Sequence, residues 1–158
     1  MERMSPFALR RPASLAEAVA MLAADPRALA IAGGTDLVPN LRDGLGAPAV
    51  LVDLSAIAGL DSIETAADGT TSIGAGVSLA RLARDELLAH RLPALREAAE
   101  SIAGPAHRTV ATVGGNLCLD TRCVFYNQSA WWRRANAWCL KHGGDTCHVA
   151  PQGNRCHA

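Results

Sequence analysis

The sequence predicts an α+β fold, with a small α/β subdomain over residues 1–57, a mixed α+β subdomain over 58–117 and a cysteine-rich segment over 118–158. Apolar runs that alternate with helical patterns predict the first, and an Asp-Gly turn between two short apolar runs predicts the second. All five cysteines and all three tryptophans follow residue 117, which sets the third apart. The 158 residues, 49% of them apolar, are enough for a hydrophobic core.

The N-terminal subdomain begins with a helix. Ser14 and Glu17 have the spacing of a capping box, and apolar residues repeat at helical intervals until Asp25. Apolar runs at 28–32 and 50–54 predict buried strands, with a short helix around Leu37 and Leu41 between them. The order strand, helix, strand predicts a parallel sheet.

The second subdomain begins with a predicted hairpin. Residues 60–65 and 70–75 flank Asp68-Gly69, a favoured pair for a tight turn. Ser78 predicts the start of a helix that runs to Arg84, and Pro93 the start of another over 93–103. The β-branched run at 109–113 predicts a short strand.

The charge balance excludes some classes of partner. Lys and Arg number 15, as do Asp and Glu, so the net charge gives no reason to expect nucleic acid or a membrane surface. No apolar run approaches the roughly 20 residues that span a bilayer, and the N-terminus lacks the apolar core of a secretion signal. We therefore expect a cytoplasmic chain.

Two Gly-Gly segments are candidate binding loops: Ile31–Asp36 reads IAGGTD and Thr112–Asn116 reads TVGGN. Glycines after a strand let the backbone approach a ligand closely, and successive free amides form an anion cradle that suits a diphosphate. Neither segment matches the dinucleotide-binding or P-loop fingerprint. The alternative for each is an ordinary tight turn.

Together the two segments resemble the FAD-binding signatures of the flavin subunits of the molybdenum hydroxylase family, which includes xanthine and carbon monoxide dehydrogenases. Ala103-Gly104 and Arg108–Ala111 resemble the approach to the second signature. The resemblance implies an FAD-binding domain of the PCMH type, here incomplete. It also implies a set of FAD-contacting residues: Ala32, Gly33, Gly34, Thr35, Asp36, Ala103, Thr112, Gly115 and Asn116.

The cysteine-rich segment predicts a metal centre. Four thiolates meet the usual requirement of one iron–sulfur cluster, and intervening glycines and prolines provide turns between them. The intervals between Cys123, Cys139, Cys147 and Cys156 match neither ferredoxin pattern, so the residues alone leave a cluster and zinc about equally favoured. Disulfides are disfavoured in a chain without a secretion signal. Aromatic residues in this segment are candidates to shield a cluster from water: Phe125, Tyr126, Trp131, Trp132 and Trp138.

This segment resembles the 4Fe–4S insertion in the flavin subunits of 4-hydroxybenzoyl-CoA reductases, one branch of the family. The resemblance implies a 4Fe–4S cluster on Cys123, Cys139, Cys147 and Cys156. Four ligands complete such a cluster, so we expect Cys118 to be spare. We assign no metal role to His142, His148 or His157.

The resemblance implies an electron-transfer subunit of an oxidoreductase. Its partners are a large subunit with the molybdenum cofactor and a small subunit with two 2Fe–2S centres, in a heterotrimer that dimerises, with reduced ferredoxin as donor. The enzyme removes the phenolic hydroxyl of 4-hydroxybenzoyl-CoA, giving benzoyl-CoA in anaerobic aromatic degradation. No residue here is nominated as catalytic.

The resemblance also bears on the extent of the chain, since the family's flavin subunit continues with the rest of the FAD domain and a C-terminal domain. We therefore expect this length of chain alone to be inactive. The alternatives are a flavin subunit of another molybdenum hydroxylase and a zinc-binding interaction domain without flavin.

Overall fold

The structure, a computed structural model, describes residues 4–158 and divides into two compact units. The scaffold unit contains 7–35 and 48–118, and the cysteine unit contains 4–6, 36–47 and 119–158. The three subdomains predicted from the sequence stay a prediction, because compactness alone does not define a functional boundary.

The scaffold unit contains the predicted parallel sheet. Its strands are β1 (Ala8–Arg10), β2 (Ala28–Ile31) and β3 (Val50–Asp53), in the order β1-β3-β2. Leu51 of β3 lies opposite Leu9 and Leu29 in the parallel registers. The sequence did not predict β1, whose three residues are all exposed.

Helix α1 (Leu15–Ala24) begins at the predicted cap: the Ser14 hydroxyl accepts a hydrogen bond from the Glu17 amide at 3.2 Å. The Glu17 carboxylate accepts a hydrogen bond from the amide of Ala13 at 2.7 Å, whereas in a standard capping box it would accept from the amide of Ser14. Ala18 of α1 packs with Val52 and Ile57 in a buried cluster next to the sheet.

The second part of the scaffold unit is a hairpin followed by short helices. Strands β4 (Ile63–Thr65) and β5 (Thr71–Ile73) pair antiparallel around the predicted turn. The Ser78 hydroxyl caps the next helix by accepting from the Arg81 amide at 3.1 Å. A core of Val77, Leu79, Leu82, Leu88, Ala99 and Ala111 holds these elements together. The helices are α3 (Leu79–Arg84), α4 (Glu86–Arg91), α5 (Pro93–Ser101), α6 (Pro105–Arg108) and α7 (Val113–Leu117).

The predicted strand over 109–113 is wrong. The amides of Val110 and Ala111 both donate to the His107 carbonyl, at 3.1 and 2.8 Å, so this stretch continues the turn of α6. Only Thr112 forms a β-bridge, an isolated one with Ser78. Local helix-type hydrogen bonds therefore override the β preference of these branched residues.

The cysteine unit consists of short helices and turns. It contains the six-residue helices α2 (Leu37–Arg42) and α8 (Ala130–Ala135), and a 3₁₀ turn over Leu140–His142. Leu41, Arg133, Cys139 and Cys147 are its buried residues. Within residues 4–158, no helix is long and apolar enough to cross a lipid bilayer.

Candidate functional site

The first glycine segment lies directly against the residues that lead into the second. Gly33 follows β2, and a Cβ there would overlap the carbonyl oxygen of Val110 and lie 2.6 Å from its carbonyl carbon. The backbone nitrogen of Ala111 would be 3.1 Å away. Because all these neighbours are backbone atoms, only glycine allows this approach.

The turn after β2 presents unused amides. In the described part of the chain, the amides of Gly33, Gly34 and Thr35 donate to no other group. Gly34 has a φ of 67°, a left-handed conformation that glycine adopts without strain. Successive free amides in such a turn bind anions, so this loop fits the diphosphate of FAD.

The second glycine segment forms a helix start. The Thr112 hydroxyl accepts from the Gly115 amide at 3.1 Å, and the Asn116 side chain donates to the Thr112 carbonyl at 2.8 Å. A Cβ on Gly114 would lie 2.7 Å from the Cβ of Ala75, so close packing requires this glycine. The prediction that TVGGN is a turn after a strand is therefore wrong: its glycines lie in the first turn of α7.

Ala103 lies in a strained conformation that one arginine holds. Its φ is 45°, in the left-handed region that residues with a Cβ seldom adopt. Arg108 Nη1 donates to the carbonyls of Ala103 at 2.6 Å and of Glu100 and Ile102 at 3.0 Å. This role of Arg108 was not predicted from the sequence; its position after a predicted helix C-terminus was the available signal.

Asp36 belongs to the cysteine unit, and its side chain is engaged within the protein. Its carboxylate accepts from Asn40 Nδ2 at 3.0 Å and pairs with the guanidinium of Arg122. Any contact of Asp36 with flavin therefore has to come from its backbone or follow release of this pair.

The four predicted cysteine ligands line one cavity. Cys139 and Cys147 are buried, with 7% and 5% of their surface exposed, Cys123 is half-buried and Cys156 is exposed. Cys118 is exposed, lies in the scaffold unit and does not line the cavity. All five are free thiols.

The donor set of the cavity, four cysteine thiols, is the one that an iron–sulfur cluster takes. Among residues 4–158, no three Cys, His, Asp or Glu side chains approach closely enough to hold one metal ion. In a cubane cluster each thiolate binds a different iron, so the sulfur atoms are spaced more widely than around zinc. Backbone amides, chiefly that of Ala150, donate to the Cys147 sulfur and lower the pKa of its thiol, which favours the thiolate that binds metal.

The walls of the cavity contain some of the predicted aromatic residues. Phe125 and Tyr126 line it, together with Leu140 and Val149, and so does His148, whose Nε2 lies 2.6 Å from the Trp138 carbonyl oxygen. Trp131, by contrast, is 69% exposed, so the expectation that it shields the site is wrong.

The backbone just before Cys139 is also unusual. Ala137 and Trp138 have φ angles of 56° and 62°, two consecutive left-handed residues without glycine. Such strain persists only where the surroundings fix the chain.

Arg133 is the buried cation of this unit, with only 2% of its surface exposed. Its Nη2 donates to the carbonyls of Asp43 and Gly44, at 2.8 and 3.1 Å, and its guanidinium lies about 6 Å from the rings of Tyr126 and Trp138. Partial burial and the charge of Arg133, whose Nη1 is 3.4 Å from His142 Nδ1, lower the pKa of His142.

Comparison with known families decides the assignment of the fold. Residues 5–140 match the family described as the FAD binding domain in molybdopterin dehydrogenase. The chain belongs to this family. The match confirms the predicted FAD-binding domain and supports FAD as its cofactor. Cys147 and Cys156 lie beyond the matched residues.

Individual relatives agree with the family. The chain is 43% identical to the xanthine dehydrogenase FAD-binding subunit of Escherichia coli O157:H7, over 68% of this chain and 37% of that protein. It is 40% identical to the carbon monoxide dehydrogenase medium chain of Afipia carboxidovorans, over 70% of this chain and 38% of that protein. The chain thus spans less than half the length of these relatives.

A solved structure shows a similar fold. The quinoline 2-oxidoreductase of Pseudomonas putida 86 superimposes with a TM-score of 0.69 at 39% identity, covering 73% of this chain and 40% of that chain.

Proposed function

We propose that this chain is the FAD- and cluster-carrying part of an electron-transfer subunit of the 4-hydroxybenzoyl-CoA reductase type. Four thiols that line one cavity, with a fifth thiol outside it, are the observation that carries the proposal. A flavin domain of this family needs no such centre to hold FAD. The additional centre therefore has a separate task, for which electron entry from reduced ferredoxin is the proposed one.

The chain's own residues supply binding sites in this proposal. The free amides after β2 hold the diphosphate, and four cysteines hold the cluster, while the redox chemistry belongs to the cofactors. A large molybdenum subunit and a small 2Fe–2S subunit complete the proposed heterotrimer, which dimerises in the cytoplasm. At the molybdenum site, two electrons and two protons convert 4-hydroxybenzoyl-CoA to benzoyl-CoA and water.

A second candidate is a flavin subunit of the xanthine or carbon monoxide dehydrogenase type, which passes electrons outward. The names of the relatives favour it, since they include both of these enzymes. On this alternative the cysteine cavity holds zinc or no metal. The family match disfavours the third alternative, an interaction domain without flavin.

The visible spectrum and metal content of the anaerobically purified chain separate these functions. We expect flavin bands over a broad iron–sulfur absorbance, with about four iron and four sulfide per chain, the content of one cubane cluster. Cys139→Ala should lose most of the iron, and the matched variant Cys118→Ala should retain it. Flavin without iron would favour the second candidate, and zinc without flavin would favour the interaction domain.

A further inference from the structure

We propose that Asn127 is a positioning residue for Cys123, and that Asn40 connects Asn127 by hydrogen bonds to Asp36, the last residue of the first glycine segment. The interpretation of Cys123 as a cluster ligand rests on the proposed function. The link itself is made of hydrogen bonds within the cysteine unit.

Asn127 holds the backbone of Cys123 on both sides. Its side-chain Oδ1 accepts from the Cys123 amide at 3.0 Å, and its own amide donates to the Cys123 carbonyl at 2.9 Å. Asn127 is itself half-buried, which shields these bonds from water. The direction of the Cys123 side chain therefore depends on where Asn127 lies.

Asn40 connects Asn127 to the glycine segment. Asn127 Nδ2 donates to Asn40 Oδ1 at 3.4 Å, and Asn40 Nδ2 donates to Asp36 Oδ2 at 3.0 Å. The two asparagines are 87 positions apart in the sequence. Three side chains thus join a residue predicted to contact FAD to the backbone of a predicted metal ligand.

The groups at the two ends of this link determine how the side-chain amides of Asn127 and Asn40 are oriented. The Cys123 amide can only donate, so Asn127 must turn its oxygen toward it and its nitrogen toward Asn40. The Asp36 carboxylate can only accept, so Asn40 must turn its nitrogen toward Asp36. Arg122 Nη1 also donates to Asn40 Oδ1, at 3.4 Å, in agreement with this orientation.

The consequence is that, within the cysteine unit, the positions of Asp36 and Cys123 depend on each other. Asp36 immediately follows the free amides after β2, and Cys123 lines the cysteine cavity. A displacement of Asp36 therefore acts on the direction of the Cys123 thiol, and the reverse holds as well.

The link can be tested in the full, metal-free chain through the alkylation rate of each thiol by iodoacetamide, measured by peptide mass spectrometry. Cys118, exposed and outside the cavity, is the internal reference. In Asn127→Ala we expect the rate at Cys123, relative to Cys118, to rise about tenfold, because loss of the bond to the Cys123 amide shifts a local opening equilibrium by about that factor. Asn40→Ala should raise it about threefold, since one bond of the link remains.

The matched control is Gln128→Ala. Gln128 is the next residue and donates to the Val124 carbonyl at 2.9 Å, but takes no part in the link. Its loss should leave the relative rate at Cys123 unchanged.

Each result counts for or against the proposal. A native rate at Cys123 in Asn127→Ala would overturn the positioning role, and a native rate in Asn40→Ala would overturn the connection to Asp36. If Asn127→Ala raises the rates of all buried cysteines together, it has unfolded the unit, and Asn40→Ala decides. Absence of iron in the reconstituted native chain would contradict the proposed function alone, because the alkylation rates are measured without metal.

Discussion

Replacement of Gly33 by alanine is the sharpest test of the flavin loop. The new Cβ would overlap the Val110 carbonyl oxygen and lie 2.6 Å from the carbonyl carbon, whereas ordinary van der Waals contact begins at 3.4 Å. The carbon alone requires the two segments to separate by about 0.8 Å, and the oxygen requires more. The obstructing atoms belong to the backbone and cannot rotate away. Overpacking of this kind costs about 1–3 kcal/mol, and we expect the upper part of that range. For a chain of this size the melting temperature should fall by about 5–10 °C.

The same displacement moves the free amides that face the proposed diphosphate. FAD affinity, followed by quenching of flavin fluorescence, should fall at least about tenfold, the equivalent of about 1.4 kcal/mol. Gly59→Ala is the control: Gly59 has a φ of 82° and open space around it, so alanine there adds backbone strain of about 1–2 kcal/mol away from the loop. It should lower stability and leave FAD affinity unchanged. A Gly33→Ala chain that melts and binds FAD like the native chain would refute the close approach to Val110.

Three further perturbations test other parts of the structure. Arg133→Met should lower the free energy of unfolding in urea by about 2–4 kcal/mol, because the carbonyls of Asp43 and Gly44 lose their donor. The control is Arg134→Met, at an exposed position, which should lower it by less than about 0.5 kcal/mol. Equal losses of stability in the two variants would contradict the burial of Arg133. Since the pKa of His142 is lowered in the folded chain, the unfolded chain binds more protons below about pH 6.5, and native stability should fall between pH 7 and pH 5. The urea midpoints at pH 7 and pH 5 should differ less in His142→Gln than in the native chain. The same difference in both chains would show that His142 does not contribute to this pH dependence. Thr112→Ala should lower the free energy of unfolding, measured by thermal unfolding, by about 1 kcal/mol, because α7 loses its cap. Thr112→Ser should retain most of the native stability, since serine also carries a hydroxyl. A serine variant as unstable as the alanine variant would argue against capping.

Local signals predicted much of the scaffold. Ser14 and Ser78 both begin helices and both cap the amide three residues later, because a short hydroxyl side chain satisfies a free donor wherever a helix starts. The Asp68-Gly69 pair likewise gave the hairpin. These features depend on residues close in sequence, and for that reason a single sequence contains them.

Features that depend on distant residues were missed or wrongly predicted. The strand at 109–113 was inferred from branched side chains, but Thr112 uses its hydroxyl to cap α7. The burial of Arg133 could not be predicted, because its carbonyl acceptors at Asp43 and Gly44 are 90 and 89 positions away in the sequence. The four cysteines were identified as a set by resemblance, while their intervals alone did not distinguish a cluster from zinc.

The division of the chain between two units has a consequence for biosynthesis. Residues 36–47 emerge from the ribosome early, but they share a compact unit with residues 119–158, which are made later. At about 5–20 residues per second, the carbonyls of Asp43 and Gly44 wait on the order of ten seconds for the guanidinium of Arg133. The scaffold unit has all of its residues once Cys118 has been made, so it can fold before residues 36–47 have their partners. Nascent chains that stall before Arg133 would therefore carry a folded scaffold in which residues 36–47 lack their partners. Such an exposed segment is a target for quality-control proteases.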